Sequence, residues 1–509
     1  MQAIPSTASR LGNNMRFKLL AEGVSRVFSM IFFVVLAQAL GTEGYGRYAF
    51  PLAFTGLFLY FADCGLNTLL IRELARYREQ AQQYIYHALF LKGALTLFTL
   101  ALMQSAAWLS GLRAGEFEAI FWAGLITLAM GWLDLLSAIF NGLEWIEAET
   151  ALRLQNRLLT LGSILLTLCW SRDVLLLLKI LALANGLSLL LGAIQVKKLV
   201  ATRQIWPQKS VWNWRFAGQL LQTGLPFWLS GLFALLYFRM DVAMLHLLGR
   251  SAAEVGEYQA VVKLLDLLVL LPNLLLMAIF PVLSQWGSEE QAQKQTRIQT
   301  QIQTQMQTLT RQSLELAWLV AWPLSLGGYL LAGPMIESLL GKAFGAAVPF
   351  WQILLLSLIF LFVNHICFYS LAALNLTRLL VLSSALGVGL NLGLNLLWIP
   401  LWGGLGAAWS TVLTEALVCL INFTVLYRSL DLKLSWGLGF KGGAATLGMG
   451  LGVQLLVAGG LPWWLILPLA ILLYALLLLG FKTLTEDQRL ALKRWGEDKF
   501  RAYTGKKHL

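Results

Sequence analysis

Apolar runs long enough to cross a lipid bilayer recur along the whole chain. A transmembrane helix needs about 20 apolar residues to cross roughly 30 Å of hydrocarbon. Fourteen such runs are separated by short polar segments. This pattern predicts an all-α, polytopic membrane protein with about 14 transmembrane helices. The predicted spans are approximately 17–40, 48–70, 85–109, 117–140, 153–170, 174–194, 222–248, 257–284, 314–332, 349–374, 378–398, 405–427, 440–459 and 461–481.

The composition agrees with a chain whose surface mostly faces lipid. Hydrophobic residues make up 58% of the 509 residues and charged residues only 13%, and a soluble protein of this length needs a larger charged fraction. The first sixteen residues are polar, and no small-residue cleavage site follows, so we expect a retained first span and not a signal peptide. Four scattered cysteines indicate packing and no redox or metal site. We expect neither a cofactor nor a bound metal.

The positive charge is distributed unevenly between the connections. Of the 38 Lys and Arg residues, 28 lie in alternate connections and at the termini, and five lie in the other connections. The positive-inside rule therefore places both termini in the cytoplasm and offers no support for a nucleic-acid partner. The Gln-rich segment of about 285–313 is either a weakly amphipathic helix or a linker. The basic tail, 482–509, is expected to form a helix on the inner leaflet.

Two turns on the predicted outer side resemble each other. The sequences LGTEGYGRYAF (Leu40–Phe50) and LGRSAAEVGEYQAV (Leu248–Val261) both begin with Leu-Gly and reach Gly-x-Tyr after a short polar stretch. This repeat predicts two six-span halves, 1–208 and 209–430, followed by a helix pair, 431–481. Such duplication is typical of transporters that open alternately to each side of the membrane. The residues of interest in these turns are Gly41, Tyr45, Gly46, Gly249, Gly256 and Tyr258.

Further stretches extend this likeness to a known family. They include DCGLNTLLIRELAR (Asp63–Arg76), LPFWLSGLFALLYFRMD (Leu225–Asp241), and VGEYQAVVKLLDL followed by FPVLSQ (Phe280–Gln285). Over its first twelve spans the chain resembles the polysaccharide (O-antigen type) flippases of the multidrug/oligosaccharidyl-lipid/polysaccharide superfamily. The resemblance implies two six-helix bundles around a central cavity. It also implies translocation of a lipid-linked oligosaccharide across the bacterial inner membrane.

The seventh span contains charged residues in the stretch YFRMDVAMLH. Placing an Arg or an Asp near a helix centre costs roughly 2.5–3.5 kcal/mol on insertion scales, so such residues face protein or a water-filled cavity. Residues two apart on a helix point in nearly opposite directions. We therefore predict that Arg239 faces the cavity and that Asp241 faces a neighbouring helix.

The other charges within spans suggest how a flippase would hold its cargo. A diphosphate needs fixed cations in a polar groove, and Arg is the best bidentate partner. Buried carboxylates nearby could bind a coupling proton or sodium ion. Lys179 and Lys263 lie near span ends, where they can snorkel to the interface. The predicted diphosphate or glycan ligands are Arg26, Arg239 and Lys92, the candidate coupling carboxylates are Asp63, Asp241 and Asp266, and Glu22 and Glu415 are structural pairs or cavity groups.

Two other functions were considered. A multidrug or cation antiporter of the same superfamily would share the fold, but five basic residues within spans favour an anionic cargo. A membrane-embedded glycan polymerase or glycosyltransferase needs a large outer loop with acidic residues. The longest outer connection, about 333–348, has Glu337 as its only acidic residue. We therefore expect no enzymatic activity. The expected partners are a lipid-linked oligosaccharide, membrane lipids, a coupling H⁺ or Na⁺, and polysaccharide assembly proteins.

Overall fold

The structure is a computed structural model that describes residues 7–202, 212–272, 296–432 and 435–483; within these ranges, side chains are described except at 7–27, 200–202, 227, 230, 234, 238, 296–302 and 436. The described residues form α-helices and two short 3₁₀ turns, with no β-strand among them, which confirms the all-α prediction. The helices are α1 (Thr7–Gly56), α2 (Leu59–Asp63), α3 (Leu66–Arg76), α4 (Ala81–Leu109), α5 (Ala114–Gly142), α6 (Ile146–Trp170), α7 (Val174–Thr202), α8 (Trp214–Leu247), α9 (Ala252–Leu268), α10 (Thr296–Leu330), α11 (Ala332–Leu340), α12 (Val348–Ala373), α13 (Thr377–Trp402), α14 (Gly404–Leu430), α15 (Trp436–Ala458) and α16 (Trp463–Gly480).

Many of these helices have the length and apolar surface of membrane spans. Within the described ranges, nine helices are long and apolar enough to cross a membrane, and eleven if each of two bent pairs counts as one span. Large apolar side chains such as Leu97, Trp170 and Phe440 expose more than two thirds of their surface. Extensive exposed apolar surface of this kind fits contact with lipid. The chain is a multi-pass membrane protein, and the count of fourteen spans stays a prediction.

The predicted second span, 48–70, is not one continuous helix. Helix α1 kinks at Gly41, where φ is 66°, and it ends at Gly56. The short α2 follows, and α3 begins only after Cys64 and Gly65, which both have left-handed backbone with φ of 46° and 78°. A left-handed residue interrupts the helical hydrogen-bond ladder. The apolar run is therefore a broken helix, and the break follows directly after Asp63.

The chain divides into two compact units. The first contains Met1–Leu267, Leu339–Phe350 and Ser384–Ser410, and the second contains Leu268–Ser338, Trp351–Ser383 and Thr411–Leu509. In the first unit α5 packs against α7, α3 and α1, and α1 packs against α8. In the second unit α15 packs against α10 and α16. The division into halves at residues 208 and 430 stays a prediction.

The Gln-rich segment is helical wherever the structure describes it. Helix α10 begins at Thr296 and continues into the following apolar run without a break. Met306 is buried, and the Gln307 side chain donates a hydrogen bond to the carbonyl oxygen of Leu430 at 2.5 Å. The helix alternative is therefore confirmed from residue 296 onward. The preceding residues of this segment and the tail from residue 484 lie outside the described residues.

Candidate functional site

A large cavity lies within the first unit, between α1, α5, α6 and α7 on one side and α8 and α9 on the other. Its volume is about 680 Å³. Apolar and aromatic side chains form much of the wall, as is usual for ligand sites. Polar groups converge on it from both sides. The charged side chains that line it are Asp134, Arg157, Arg239, Lys263 and Asp266.

Arg239 belongs to a cluster with an excess of positive charge. Its Nη2 atom lies 3.4 Å from Oδ2 of Asp266, and Nζ of Lys263 lies 3.5 Å from the same oxygen. Both distances exceed the 2.7–2.9 Å that is usual for a strong charge-assisted hydrogen bond. Each of the three side chains is more than one third exposed. Two cations that share one carboxylate so loosely can turn toward an anionic ligand.

Lys263 lies deeper in its helix than the sequence suggested. Helix α9 begins at Ala252, five residues before the predicted span, so Lys263 is about 16 Å from the start of the helix at 1.5 Å per residue. Its ammonium group lines the cavity beside Asp266. Lys263 therefore lines the cavity, and its snorkelling to the membrane interface stays a prediction.

Asp241 is directed away from the large cavity. It is 8% exposed and accepts two hydrogen bonds. Tyr258 of α9 donates one through Oη at 3.0 Å, and Asn395 of α13 donates the other through Nδ2 at 2.6 Å. Asp241 therefore joins three helices of the first unit, whereas Arg239, two residues earlier in α8, lines the cavity.

The opposite wall of the large cavity is polar and was not foreseen. Asn156, Arg157 and Thr160 of α6 line it together with Asn185 of α7. The sequence analysis did not include Arg157 among the charged residues within spans. Helix α6 starts at Ile146, which places Arg157 about 16 Å into the helix. The predicted span 153–170 already contained this residue, and its place in that span is the signal that could have identified it.

A second, smaller cavity of about 240 Å³ lies beside the large one. Asp63 and Lys92 line it, and Nζ of Lys92 lies 3.2 Å from Oδ1 of Asp63. Lys92 is fully buried. Leu59, Tyr60 and Asp134 line both cavities. Lys92, a predicted cargo ligand, therefore lies in the smaller cavity with the predicted coupling residue Asp63.

The predicted outer turns touch each other through glycine. Gly41 and Gly249 occupy equivalent places in the repeat, and both have positive φ, 66° and 84°, which glycine adopts readily. A methyl group added at Gly46 would lie 1.7 Å from the carbonyl oxygen of Ala252, and one at Gly256 would lie 2.1 Å from that of Thr42. The backbones of α1 and α9 are therefore in direct contact here, and only glycine permits it.

The remaining predicted residues are placed as follows. Tyr45 is buried at the outer turn, where its ring packs against Phe33 with centroids 5.8 Å apart. Glu415 is buried in α14, in the second unit. Glu22 and Arg26 fall within α1, and their side chains lie outside the described part of the chain.

Comparison with known proteins adds a family to this geometry. The profile of a family described as polysaccharide biosynthesis protein matches residues 11–286, more than half of the chain. A probable low-salt glycan biosynthesis flippase, Agl15 of Haloferax volcanii, is 23% identical over 402 residues, which cover 79% of this chain and 80% of that protein.

Two solved structures share the fold. The lipid II flippase MurJ, in an inward closed conformation, superposes with a TM-score of 0.71 and 13% identity, covering 91% of this chain and 97% of that one. An inward-facing multidrug resistance MATE family transporter of the MOP superfamily superposes with a TM-score of 0.61 and 13% identity, covering 80% of this chain and 94% of that one. At such low identity these structures support the fold of the chain and nothing further.

Proposed function

We propose, from the premise that this chain belongs to the family of polysaccharide biosynthesis proteins, that it flips a polyprenyl-diphosphate-linked oligosaccharide across the bacterial inner membrane. It would do so by alternating access and serve the synthesis of cell-surface polysaccharide. The observation that carries this proposal is the Arg239–Lys263–Asp266 cluster on the wall of a 680 Å³ cavity. The similarity to a probable glycan biosynthesis flippase supports it.

The cluster suits the diphosphate. An anionic ligand can replace the long contact between Arg239 and Asp266 with short, charge-assisted hydrogen bonds to guanidinium and ammonium groups. Asp266 then compensates for the extra positive charge while the cavity is empty, which lowers the cost of keeping two cations within the membrane.

The facing wall suits the sugars. Amide, hydroxyl and guanidinium groups of Asn156, Arg157, Thr160 and Asn185 line it, and such groups hydrogen-bond to sugar hydroxyls. A polyprenyl tail is itself apolar and can remain in the lipid. The protein needs to enclose only the polar part of the cargo, because that part alone cannot cross the hydrocarbon.

The glycine contact of the outer turns suits alternating access. When α1 and α9 touch at Gly46 and Gly256, they close one end of the large cavity, and their separation would open it. Both elements lie in the first unit. We place the termini in the cytoplasm, as the charge distribution predicts. In this orientation the contact at Gly46 and Gly256 closes the outer end of the cavity.

A drug antiporter is a weaker fit to the same cavity. Among the described side chains, three cations and two carboxylates line it, and that excess of positive charge repels cationic drugs. The similar proteins are flippases and transporters, and we propose that this chain likewise has no enzymatic activity. Membrane lipids and polysaccharide assembly proteins are its proposed partners.

The test is a flipping assay with purified protein in liposomes. Fluorescent polyprenyl-diphosphate-linked oligosaccharides are placed in one leaflet, and their arrival in the other is followed by quenching. We expect flipping of at least one such lipid and no flipping of polyprenyl phosphate without sugars. If the protein transports a cationic dye and every lipid-linked oligosaccharide remains in its original leaflet, the proposal is refuted.

A further inference from the structure

The smaller cavity contains more acidic than basic groups. Asp63 of α2, Lys92 of α4 and Asp134 of α5 line it, and Lys92 has no exposed surface. With all three ionised, the site has one uncompensated negative charge, which is costly in a buried setting. Two carboxylates that share a site reduce this cost by holding one proton between them.

The neighbouring elements that the structure describes compensate this excess charge only in part. Arg153 of α6 attracts Asp134, but it also pairs with Glu149 one turn earlier, so that pair adds no net charge. Tyr60 interacts with both carboxylates of the cavity and is neutral near pH 7. Among the described residues of helix α8, Gly231 is the one that lines this cavity.

The cavity has room and unmet hydrogen-bonding capacity for water. Oδ1 of Asn67 is buried and has no hydrogen-bond partner among the residues that the structure describes, and Asn67 lines this cavity. A buried acceptor of this kind needs a donor. The cavity volume, about 240 Å³, is several times the roughly 30 Å³ that a water molecule occupies in the liquid. Water can therefore carry protons to Asp134, which also lines the large cavity.

Lys92 lies against the helix that bears Asp134. A methyl group added at Gly131, one turn before Asp134 in α5, would lie 3.7 Å from Nζ of Lys92. The absence of a side chain at Gly131 keeps the ammonium group next to α5 while it contacts Asp63 of α2. A rotation of the Lys92 side chain would thus move its ammonium group from Asp63 toward Asp134.

We propose that the smaller cavity is a proton-binding site, in which Asp63 and Asp134 hold one exchangeable proton and Lys92 pairs with whichever carboxylate lacks it. The proton forms an O–H bond with one carboxylate, and the ammonium of Lys92 keeps its own protons throughout. In the conformation described here Lys92 pairs with Asp63, which leaves the proton on Asp134. This proposal rests on the proposed flippase function for the use that is made of the proton.

The position of Asp63 explains how the proton would act on the fold. Asp63 is the last residue of α2, directly before the left-handed break at Cys64 and Gly65. A methyl group at Gly65 would lie 2.3 Å from the carbonyl oxygen of Gly224 in α8. Helix α8 bends by 50° just beyond this contact, between its segments Trp214–Pro226 and Gly231–Tyr237. When Lys92 changes its partner, the contact of Gly65 with Gly224 would weaken or strengthen. This contact joins the broken second span to α8, the helix that contains Arg239.

The first experiment needs no cargo. Infrared difference spectra of the purified protein, recorded in H₂O and D₂O, report the carbonyl band of protonated carboxyl groups. We expect Asp134→Asn to lose the amplitude of one such group, because Lys92 then stays with Asp63. The matched control is Glu118→Gln in the same helix, since Glu118 pairs with Lys179 and lies outside both cavities. An unchanged band in Asp134→Asn, with normal membrane abundance and melting temperature, would overturn the proposal.

The second experiment compares flipping with and without a pH gradient. If one proton moves with each cargo molecule, a gradient of one pH unit can change the accumulation ratio by up to about tenfold. We expect this ratio to fall to one in Asp63→Asn and Asp134→Asn and to persist in Glu118→Gln. A wild-type protein that flips cargo but responds only to a Na⁺ gradient would contradict the proton site and leave the proposed function standing. A wild-type protein that flips no lipid-linked sugar would contradict the proposed function, and the infrared result would still decide the proton site.

Discussion

The two cavities of the first unit share a wall but differ in charge and enclosure. Among the described side chains, three cations and two carboxylates line the larger cavity, and its cationic cluster is more than one third exposed. In the same part of the chain, one cation and two carboxylates line the smaller cavity, and this cation, Lys92, is fully buried. Tyr60 and Asp134 belong to both.

This difference separates two tasks that a single site could not perform well. A site for a bulky dianion needs exposed cations with loosely held counter-ions, because the ligand must displace them. A site for a proton needs buried carboxylates whose charge is nearly balanced, because only then does one proton change the local electrostatics substantially. Asp134 in the shared wall allows the state of one site to affect the other.

The largest effect is expected from removing the cation of the large cavity. Arg239→Gln removes hydrogen bonds between charged groups that contribute roughly 1.5–3 kcal/mol each, so flipping should fall by about 10- to 100-fold. Asp266 keeps Lys263 as a partner, and membrane abundance and melting temperature should therefore stay near those of the wild type. Arg239→Lys should retain part of the activity, since it keeps the charge and loses the planar fork.

A matched control for this variant is Lys179→Gln. The Lys179 side chain is 37% exposed, as is that of Arg239, but it pairs with Glu118 outside the cavity. We expect normal flipping from this control. If Arg239→Gln flips as fast as Lys179→Gln, or if it is lost through misfolding, Arg239 does not bind cargo.

The next effect concerns the closure of the large cavity. Gly46→Ala would place a methyl group 1.7 Å from the carbonyl oxygen of Ala252, so α1 and α9 could no longer touch. Each 1.4 kcal/mol of added cost shifts the closed population about tenfold. A cysteine at Tyr48, which lines the cavity, should then react faster with an impermeant maleimide added from outside. Gly44→Ala is the control, because its methyl group would meet only the side chain of Leu40; equal rates in the two variants would rule out this closure.

Part of this site was accessible to sequence reasoning, and the reason is local geometry. Arg239 and Asp241 are two residues apart on one helix, so their opposite directions follow from the helical period. The glycines of the two outer turns could be identified because the same Leu-Gly and Gly-x-Tyr pattern occurs in both turns. In both cases the signal lies within one short stretch of sequence, although the spatial partners of these residues lie on other helices.

The rest depends on how helices pack. The contact of Lys92 with Asp63 joins α4 to α2, and its closeness to Gly131 brings in α5. No spacing along the chain encodes these distances. Arg157 and Lys263 were not predicted to line the cavity, because helices α6 and α9 begin several residues before the apolar runs from which their spans were predicted. Residues about three turns into these helices therefore resemble the end of a connection in sequence, although they line the cavity in the fold.

The carboxylate of Asp241 sharpens the comparison because it lines neither cavity. Asp241→Ala removes hydrogen bonds from Tyr258 and Asn395, which should lower the free energy of unfolding by about 1–3 kcal/mol. The expected result is a lower melting temperature in detergent, with a normal flipping rate per folded molecule and a normal response to a pH gradient. Loss of the gradient response in otherwise folded Asp241→Ala would move the proton site away from the smaller cavity.

The smallest effect is expected from the second cation of the cluster. Lys263 is partly exposed and lies 3.5 Å from Asp266, and such pairs contribute only about 0–1 kcal/mol. Lys263→Gln should therefore reduce flipping no more than about fivefold, with an unchanged melting temperature. Because Arg239 remains, the cargo concentration at half-maximal rate should rise while the maximal rate stays the same. A loss as deep as that of Arg239→Gln would show that the two cations bind the diphosphate as one unit, and the large cavity would then resemble the smaller one, where a single charge decides the state of the site.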